Sequence, residues 1–492
     1  MKSFYIPEPD LIFKDGKTCV DPCVGILNYR PNGLPYENFE IPIGIIGSKK
    51  SINHAKQFLS FLKYSIEGKI FPNSNIRSVD FPGLYQEGPL GFIFKIDKNY
   101  CQEVSDDNVN NILDINSRKD AIKEFSNMIS QILRDLSSQN PPKPIILISI
   151  PEKILIKCAD PFIKSKRIRL SDRTYKNLKR IAELPEQERP LFYDFHNYIK
   201  VLGYELNLTT QLILPETLKF KAGDEQNPAS IAWNFCVAQY YKYLGVPWKL
   251  ADLNPETVHV GISFYYDINR RDSIVIKAAI AQVYMRTGDS QIARGLELNV
   301  EHEEDIRRTN LTEEQSRDIL EKAINLYKRQ HNNRIPNRIV VHKKSQYSEV
   351  EIEGFSNASD KIEIQDYLHI KEFCNFNALT PSLYPIMRGS VFQRMSHNKD
   401  VFNLFTTGYI PCLDTYPGSF VPRPIEVVIE KADSDVRILA KDIMDLTKLD
   451  WNSTDFCKRL PATISVSQKV GNIMGELRGR DIEPPSAYGN YM

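Results

Sequence analysis

The chain has 492 residues, of which 42% are hydrophobic, and it carries 63 Lys+Arg against 62 Asp+Glu for a net charge of +1. That is length for roughly two to four domains and more apolar content than a disordered chain has. No run approaches the ~18 apolar residues of a membrane span, and near-neutrality gives no global pull toward nucleic acid, so any polyanion site has to be a local concentration of charge. The N-terminus, MKSFYIPEPDLIFKDG, has acidic residues and two prolines where a secretory leader has an apolar core. The cysteines, at 19, 23, 101, 158, 236, 374, 412 and 457, lack the paired spacing of a zinc site. A cytoplasmic chain with reduced thiols is expected.

In chain order, residues 41–47 (IPIGIIG) read as a buried strand and 48–63 as a helix with Ser48 or Ser51 as its N-cap. Residues 121–136 have helical apolar spacing, and 144–150 (PIILISI) form a second buried strand. This alternation predicts an open, mostly parallel sheet flanked by helices. The Ser-Lys-Lys after the first strand matches neither G-x-x-x-x-G-K-[ST] nor G-x-G-x-x-G, so a phosphate loop serving a small-metabolite enzyme is the weaker reading. In 164–180 (KSKRIRLSDRTYKNLKR) eight of 17 residues are basic, which fits a solvated surface or a ridge facing nucleic acid.

Residues 193–206 predict a helix, 211–214 a short strand, 219–228 a boundary, and 229–244 a long helix stopped by Gly245 and Pro247. The second half opens with strands at 257–266 and 273–284. A helix at 312–331 follows, with Thr312 and Gln315 in capping-box spacing. Strands at 338–342, near 361–370 and at 425–429 come next, with helices at 436–446 and near 467–478. Long strands in series, then a helix, a short strand and further helices fit an RNase H-like domain.

His196 and Lys200 lie four apart on a predicted helix and share a face. Gln211 follows after a short loop, and Lys242 lies on the next long helix. Singly, each is an ordinary structural or surface residue. Together they make the donor set of a phosphate pocket, since a terminal phosphate carries roughly −1.5 to −2 charges and several acceptor oxygens. Each charge-assisted bond is worth about 1.5–3 kcal/mol.

At this point the sequence resembles a family. FHNYIKVLGYELNLTTQLILPETL (195–218) and ASIAWNFCVAQYYKYLGVPWKL (229–250) resemble the junction of the MID and PIWI domains of Argonaute proteins. TVHVGISFYYD (257–267), NRIVVHKKSQYSEVE (337–351), MRGSVF (387–392), FTTGYIP (405–411) and 445–474 resemble successive PIWI segments. The resemblance implies a Rossmann-like MID domain within 1–218, an RNase H-like PIWI domain in 219–492, and a short prokaryotic Argonaute built of those two domains alone. It assigns His196, Lys200, Gln211 and Lys242 to a guide 5′-phosphate pocket. It also implies a structural Mg²⁺ at the guide end, held by Gln211 and the terminal carboxylate of Met492.

Active PIWI domains carry metal-binding acids at positions that here hold Ser263, Lys344 and Gln468. Hard Mg²⁺ wants oxygen ligands, and a cation at a metal position repels the ion, so the centre is expected not to cut. The alternative is a guided endonuclease that recruits atypical carboxylates such as Asp267, Glu349 or Glu351. Backbone-contact candidates are Lys166, Arg167, Arg169, Lys343, Lys344, Arg388 and Lys448. The expected partners are guide RNA, complementary target DNA and an effector protein with an APAZ region fused to a TIR or sirtuin-type NAD⁺-degrading domain. Higher oligomers on activation, and no membrane, complete the expectation.

Overall fold

The computed structural model describes residues 2–33, 39–68, 79–139, 143–158, 194–218, 227–252, 254–270, 273–284, 290–299, 310–396, 399–417, 421–477, 482 and 485–492. The basic run 164–180, with Lys166, Arg167 and Arg169, and most of the expected boundary at 219–228 lie outside these residues.

The chain begins with three short strands, β1 (Lys2–Tyr5), β2 (Leu11–Ile12) and β3 (Thr18–Cys19), and helix α1 (Pro22–Tyr29). The first large unit follows as β4 (Phe39–Gly47), α2 (Lys49–Phe61), β5 (Phe92–Glu103), α3 (Asp106–Asp114), α4 (Arg118–Ser137), β6 (Ile145–Ser149), α5 (Glu152–Lys157), α6 (Phe195–Leu206), β7 (Thr210–Ile213) and α7 (Pro215–Leu218). Its four strands are all parallel in the order β5-β4-β6-β7. Every residue of β6 is buried, the signature of a parallel strand covered on both faces. Ser48 is the cap that starts α2, accepting from Ser51 N at 3.2 Å.

Helix α8 (Pro228–Leu244) and β8 (Lys249–Leu250) lead into the second unit. It comprises β9 (Thr257–Arg270), β10 (Ser273–Tyr284), β11 (Ser290–Asn299), α9 (Glu313–Gln330), β12 (Arg338–Lys343), α10 (Glu349–Ala358), β13 (Ile364–Lys371), β14 (Ser390–Ser396), β15 (Lys399–Leu404), β16 (Ile425–Ala432), α11 (Val436–Leu446) and α12 (Ala462–Met474). These strands form a nine-stranded sheet in the order β1-β14-β15-β16-β13-β12-β9-β10-β11. The capping box of α9 is made as expected: Gln315 N donates to Thr312 Oγ1 at 3.3 Å and Thr312 N to Gln315 Oε1 at 2.9 Å.

Three features tie the units together. β1 pairs antiparallel with β14 at the edge of the large sheet, so the N-terminal segment grouped with the first unit reaches the second. β2 pairs with both β3 and β8 in a small separate sheet. One continuous core runs from Ile43 and Phe58 through Trp233 and Trp248 to Trp451, Met474 and the C-terminal Tyr491. Phe81 meets Trp233 edge-on at 5.5 Å and Tyr241 stacks on Trp451 at 4.7 Å.

The last helix begins at Ala462, not near 467. Pro461 stands at its N-cap, and the apolar face that packs on β9 starts with Ala462 and Ile464. That packing is tight: a Cβ on Gly261 of β9 would lie 1.9 Å from the Thr463 carbonyl oxygen. β5 has no expected counterpart, because half of FIFKIDKNYCQE is polar, along an edge strand whose outer half is mostly exposed.

Candidate functional site

Helix α6 is positioned by its ends. Asp194 caps it, its carboxylate accepting from Asn197 N at 3.1 Å, while the Asp194 N–H donates to Glu476 Oε1 at 2.7 Å just beyond α12. Asn207, at φ +51°, closes it in the left-handed conformation that Asn tolerates. His196 and Lys200 therefore share one face. Lys200 is 2% exposed and its Nζ reaches across to β7, donating to Thr210 O at 2.5 Å.

From the opposite side α8 brings Lys242 in its last turn, and Lys242 Nζ donates to Gln211 Oε1. Gln239 Nε2 donates to the same oxygen at 3.3 Å. Lys242 also feels the Lys200 charge. The structure thus brings Lys200, Gln211 and Lys242 into one cluster. His196 borders it, close enough to feel both lysine charges, with Nδ1 3.3 Å from Asn197 Oδ1. Gln239 is the member that sequence reasoning missed. It is buried with its Oε1 unpartnered, and its spacing of three from Lys242 on a helix was the available signal.

Burial dominates the electrostatics. It drives the Lys200 amine down to about 7 and, with the Lys200 charge adding to it, takes Lys242 well below the usual lysine range. Burial, then the Lys200 charge, takes the His196 imidazole down to about 4. Among the described residues no carboxylate forms an ion pair with either lysine. Unfolded Lys200 holds its proton up to about pH 10.5 while the folded group loses it near 7. Between those values the unfolded chain binds more protons, so stability rises with pH. The ligand-free chain is expected to melt at higher temperature at pH 8.5 than at pH 7, and Lys200→Met is expected to shrink that rise. Identical melting profiles for the two proteins across that range would contradict this environment.

The C-terminal turn, Tyr488–Tyr491, packs on the same two helices. Tyr204 OH of α6 donates to Asn490 O at 3.3 Å, the Tyr204 and Tyr491 rings lie 5.1 Å apart, and Tyr488 faces Tyr241 of α8 at 5.9 Å. Met492 is buried with them. The expected Mg²⁺ does not fit the arrangement around Gln211. The Oε1 atom that would ligate it already accepts from Lys242 and Gln239, and the neighbouring groups are two amines.

A second cluster lies on the large sheet. β9 and β12 run parallel with Lys343 opposite Ile262, so Lys344 and Ser263 occupy the next step. Ser263 Oγ donates to Ser467 O at 2.8 Å, beside Gln468 on α12. Ser263 in the middle of β9, Lys344 just past the end of β12 and Gln468 on α12 therefore lie on adjoining elements. Lys344 Nζ lies 3.0 Å from Glu372 Oε2. Among the described residues no group of three or more His, Cys, Asp or Glu side chains is arranged to hold a metal. Glu351 is committed elsewhere: buried, it accepts from Leu311 N at 2.8 Å and Ser348 N at 2.8 Å and pairs with Lys343. Glu349 is exposed in the first turn of α10, and the side chain of Asp267 is outside those described.

Three backbone-contact candidates are corrected by the structure. Lys343 is fully buried against Glu351, Phe264 and Tyr347. Arg388 is buried, with Nε 2.9 Å from Glu8 Oε2, Nη2 2.7 Å from Thr447 Oγ1, and a bond to Thr406 O. Lys448 is buried 2.7 Å from Glu8 Oε1 and donates to Val20 O and Phe456 O. All three bind the protein's own groups and leave nothing for a phosphate. Lys344 alone of the described candidates stays at the surface, its side chain 41% exposed. All eight cysteines are free thiols, and no helix among the described residues is long and apolar enough to cross a membrane.

No family model and no curated protein matches the sequence. Solved structures do. The Argonaute of Clostridium butyricum, bound to a guide DNA and a 19-mer target DNA, superposes with a TM-score of 0.63 at 15% identity, covering 99% of this chain and 54% of that one. Argonaute of A. aeolicus gives 0.56 at 15% identity, over 98% and 54% of the two chains. Drosophila Piwi gives 0.56 at 12% identity, over 100% and 56%. The fold is that of Argonaute and Piwi proteins, a Rossmann-like MID unit followed by an RNase H-like PIWI unit. The chain spans about half the length of these structures.

Proposed function

We propose that this chain holds a 5′-phosphorylated guide RNA by its end, presents it to complementary single-stranded DNA, and does not cut. The supporting observation is the meeting of Lys200, Lys242, Gln211 and the bordering His196 in a buried cluster whose lysines, among the described residues, form no ion pair with a carboxylate. A terminal phosphate supplies the charge and the acceptor oxygens that this cluster lacks. Sequence discrimination then falls to base pairing, with the protein reading backbone and duplex shape. The PIWI unit serves as a scaffold for the duplex, since the resemblance implies metal-binding acids at the positions that here hold Ser263, Lys344 and Gln468. Target pairing activates a separate effector with an APAZ region and a TIR or sirtuin-type NAD⁺-degrading domain, assembling into higher oligomers in the cytoplasm. Loss of NAD⁺ arrests a cell invaded by plasmid or phage.

Two measurements test this reading. Nucleic acid that co-purifies with the chain is expected to be short RNA with a 5′-phosphate; long or unphosphorylated fragments would contradict it. The purified chain loaded with guide and complementary target is expected to leave the target intact in Mg²⁺ or Mn²⁺. Cleavage abolished by Asp267→Ala or Glu349→Ala would establish the endonuclease in its place.

A further inference from the structure

Two cations from distant parts of the chain meet at Glu372, just past β13. Lys344, one residue beyond β12, holds its Nζ 3.0 Å from the Glu372 carboxylate. Arg459, two residues before the Pro461 cap of α12, donates from Nη2 to the Glu372 main-chain oxygen at 2.5 Å. That bond leaves the carboxylate to Lys344, and among the described residues Arg459 forms no ion pair. The cluster therefore sets two positive charges against one negative. No acidic residue follows Glu372 until Asp400, so the segment on that side adds nothing that repels an anion.

An aromatic ring belongs to the same cluster. Phe373 is 59% exposed, and the Arg459 guanidinium lies over its ring, 4.8 Å from the centroid. A lone exposed Phe is ordinary. One that carries a guanidinium on its face, beside a lysine, has the make-up of a strand contact in which cations meet the phosphates and the ring takes a base. The parts are held from behind. Thr406 Oγ1 donates to Arg459 O at 2.6 Å, Cys374 Sγ donates to Pro424 O at 3.5 Å, and the Phe376 ring lies 5.2 Å from Phe392 and 6.3 Å from Phe405. Only the Lys344–Glu372 pair has to open, and an ion pair with a lysine this exposed opens at little cost.

We propose that Lys344, Arg459 and Phe373 form a second nucleic-acid contact, which takes an unpaired stretch of strand with a phosphodiester on the two cations and the adjacent base on the Phe373 ring. The inference goes beyond the phosphate-pocket reading and uses none of that pocket's residues. None of the three groups senses a strand end, so strands with a 5′-phosphate and a 5′-hydroxyl are treated alike. A base has to be free of its pairing partner to stack on the ring, which favours a single strand over a duplex. The cations need no divalent ion to hold the phosphate.

Salt-dependent titration of a 5′-hydroxyl single-stranded DNA in EDTA tests this, and the hydroxyl end keeps the outcome separate from that of the pocket. The proteins are wild type, Lys344→Ala, Glu372→Gln and Phe373→Ala. Lys344→Ala is expected to weaken binding and to lower the slope of log affinity against log salt by about 0.7, the loss of one phosphate contact. Glu372→Gln is expected to tighten binding, since it frees Lys344 and removes a carboxylate that repels the strand. Phe373→Ala is expected to weaken binding roughly 5- to 150-fold with the slope unchanged. An abasic strand of the same length is expected to bind wild type and Phe373→Ala alike. An unchanged slope in Lys344→Ala, or an abasic strand that still separates Phe373→Ala from wild type, overturns the proposal. Undiminished binding by both alanine variants overturns it as well and leaves the patch to a protein partner.

Discussion

Replacing Lys242 with alanine is expected to weaken binding of a 5′-phosphorylated RNA by roughly 10- to 150-fold, the equivalent of one charge-assisted hydrogen bond of about 1.5–3 kcal/mol. The same change is expected to leave a 5′-hydroxyl strand within about twofold, because that strand offers the amine no charge to pair with. Lys242 projects from the last turn of α8 and its Nζ donates to the neutral Gln211 amide. Its removal therefore strands no buried carboxylate, and folding is expected to survive. Equilibrium binding of the two strands to wild type and Lys242→Ala measures the effect. A parallel loss for both strands would show a general weakening and no phosphate contact.

Lys343→Met is expected to act in the opposite sense, costing stability by about 3–5 kcal/mol without touching affinity in the folded fraction. Lys343 and Glu351 are both fully buried, and Glu351 also ties down the backbone of Leu311 and Ser348. Removing the ammonium takes away the buried cation that faces that carboxylate beside Tyr347, Phe264 and the α10 cap. Lys343→Met/Glu351→Gln is expected to recover part of the loss, since the second change removes the stranded charge. Urea unfolding reports the stability and nucleic-acid titration reports the affinity. Unchanged stability with weakened nucleic-acid binding would return Lys343 to the surface role that its sequence context suggested.

The contrast between these lysines marks what the sequence made legible. Lys200 and Lys242 were found because helix spacing and a local order of residue types converge on them, and those signals span less than fifty residues. Lys343, Arg388 and Lys448 were taken for surface cations because their partners are distant in sequence or carry no pattern of their own. Glu8 lies 380 residues before Arg388, and Thr406 and Thr447 look like any other threonines. The same distance hid β1, whose partner strand begins at Ser390. The strands 41–47 and 144–150 were plain because burial on both faces removes polar residues from a parallel strand. β5 lost that signal because it runs along the sheet edge. Helix α11 was found at its bounds, Val436–Leu446, since its apolar period and its Asp435 cap agree. The neighbouring placement of Ser263 and Lys344 follows from the parallel register of β9 and β12, and the resemblance supplied those positions before any spacing did.

The central claim is that the cluster between α6 and α8 grips a terminal phosphate. The most direct test is the affinity of the wild-type chain for one RNA sequence carrying either a 5′-phosphate or a 5′-hydroxyl, at neutral pH and fixed salt. A preference for the phosphorylated strand of at least about tenfold is expected from the charge-assisted bonds available. Equal affinities would contradict the account.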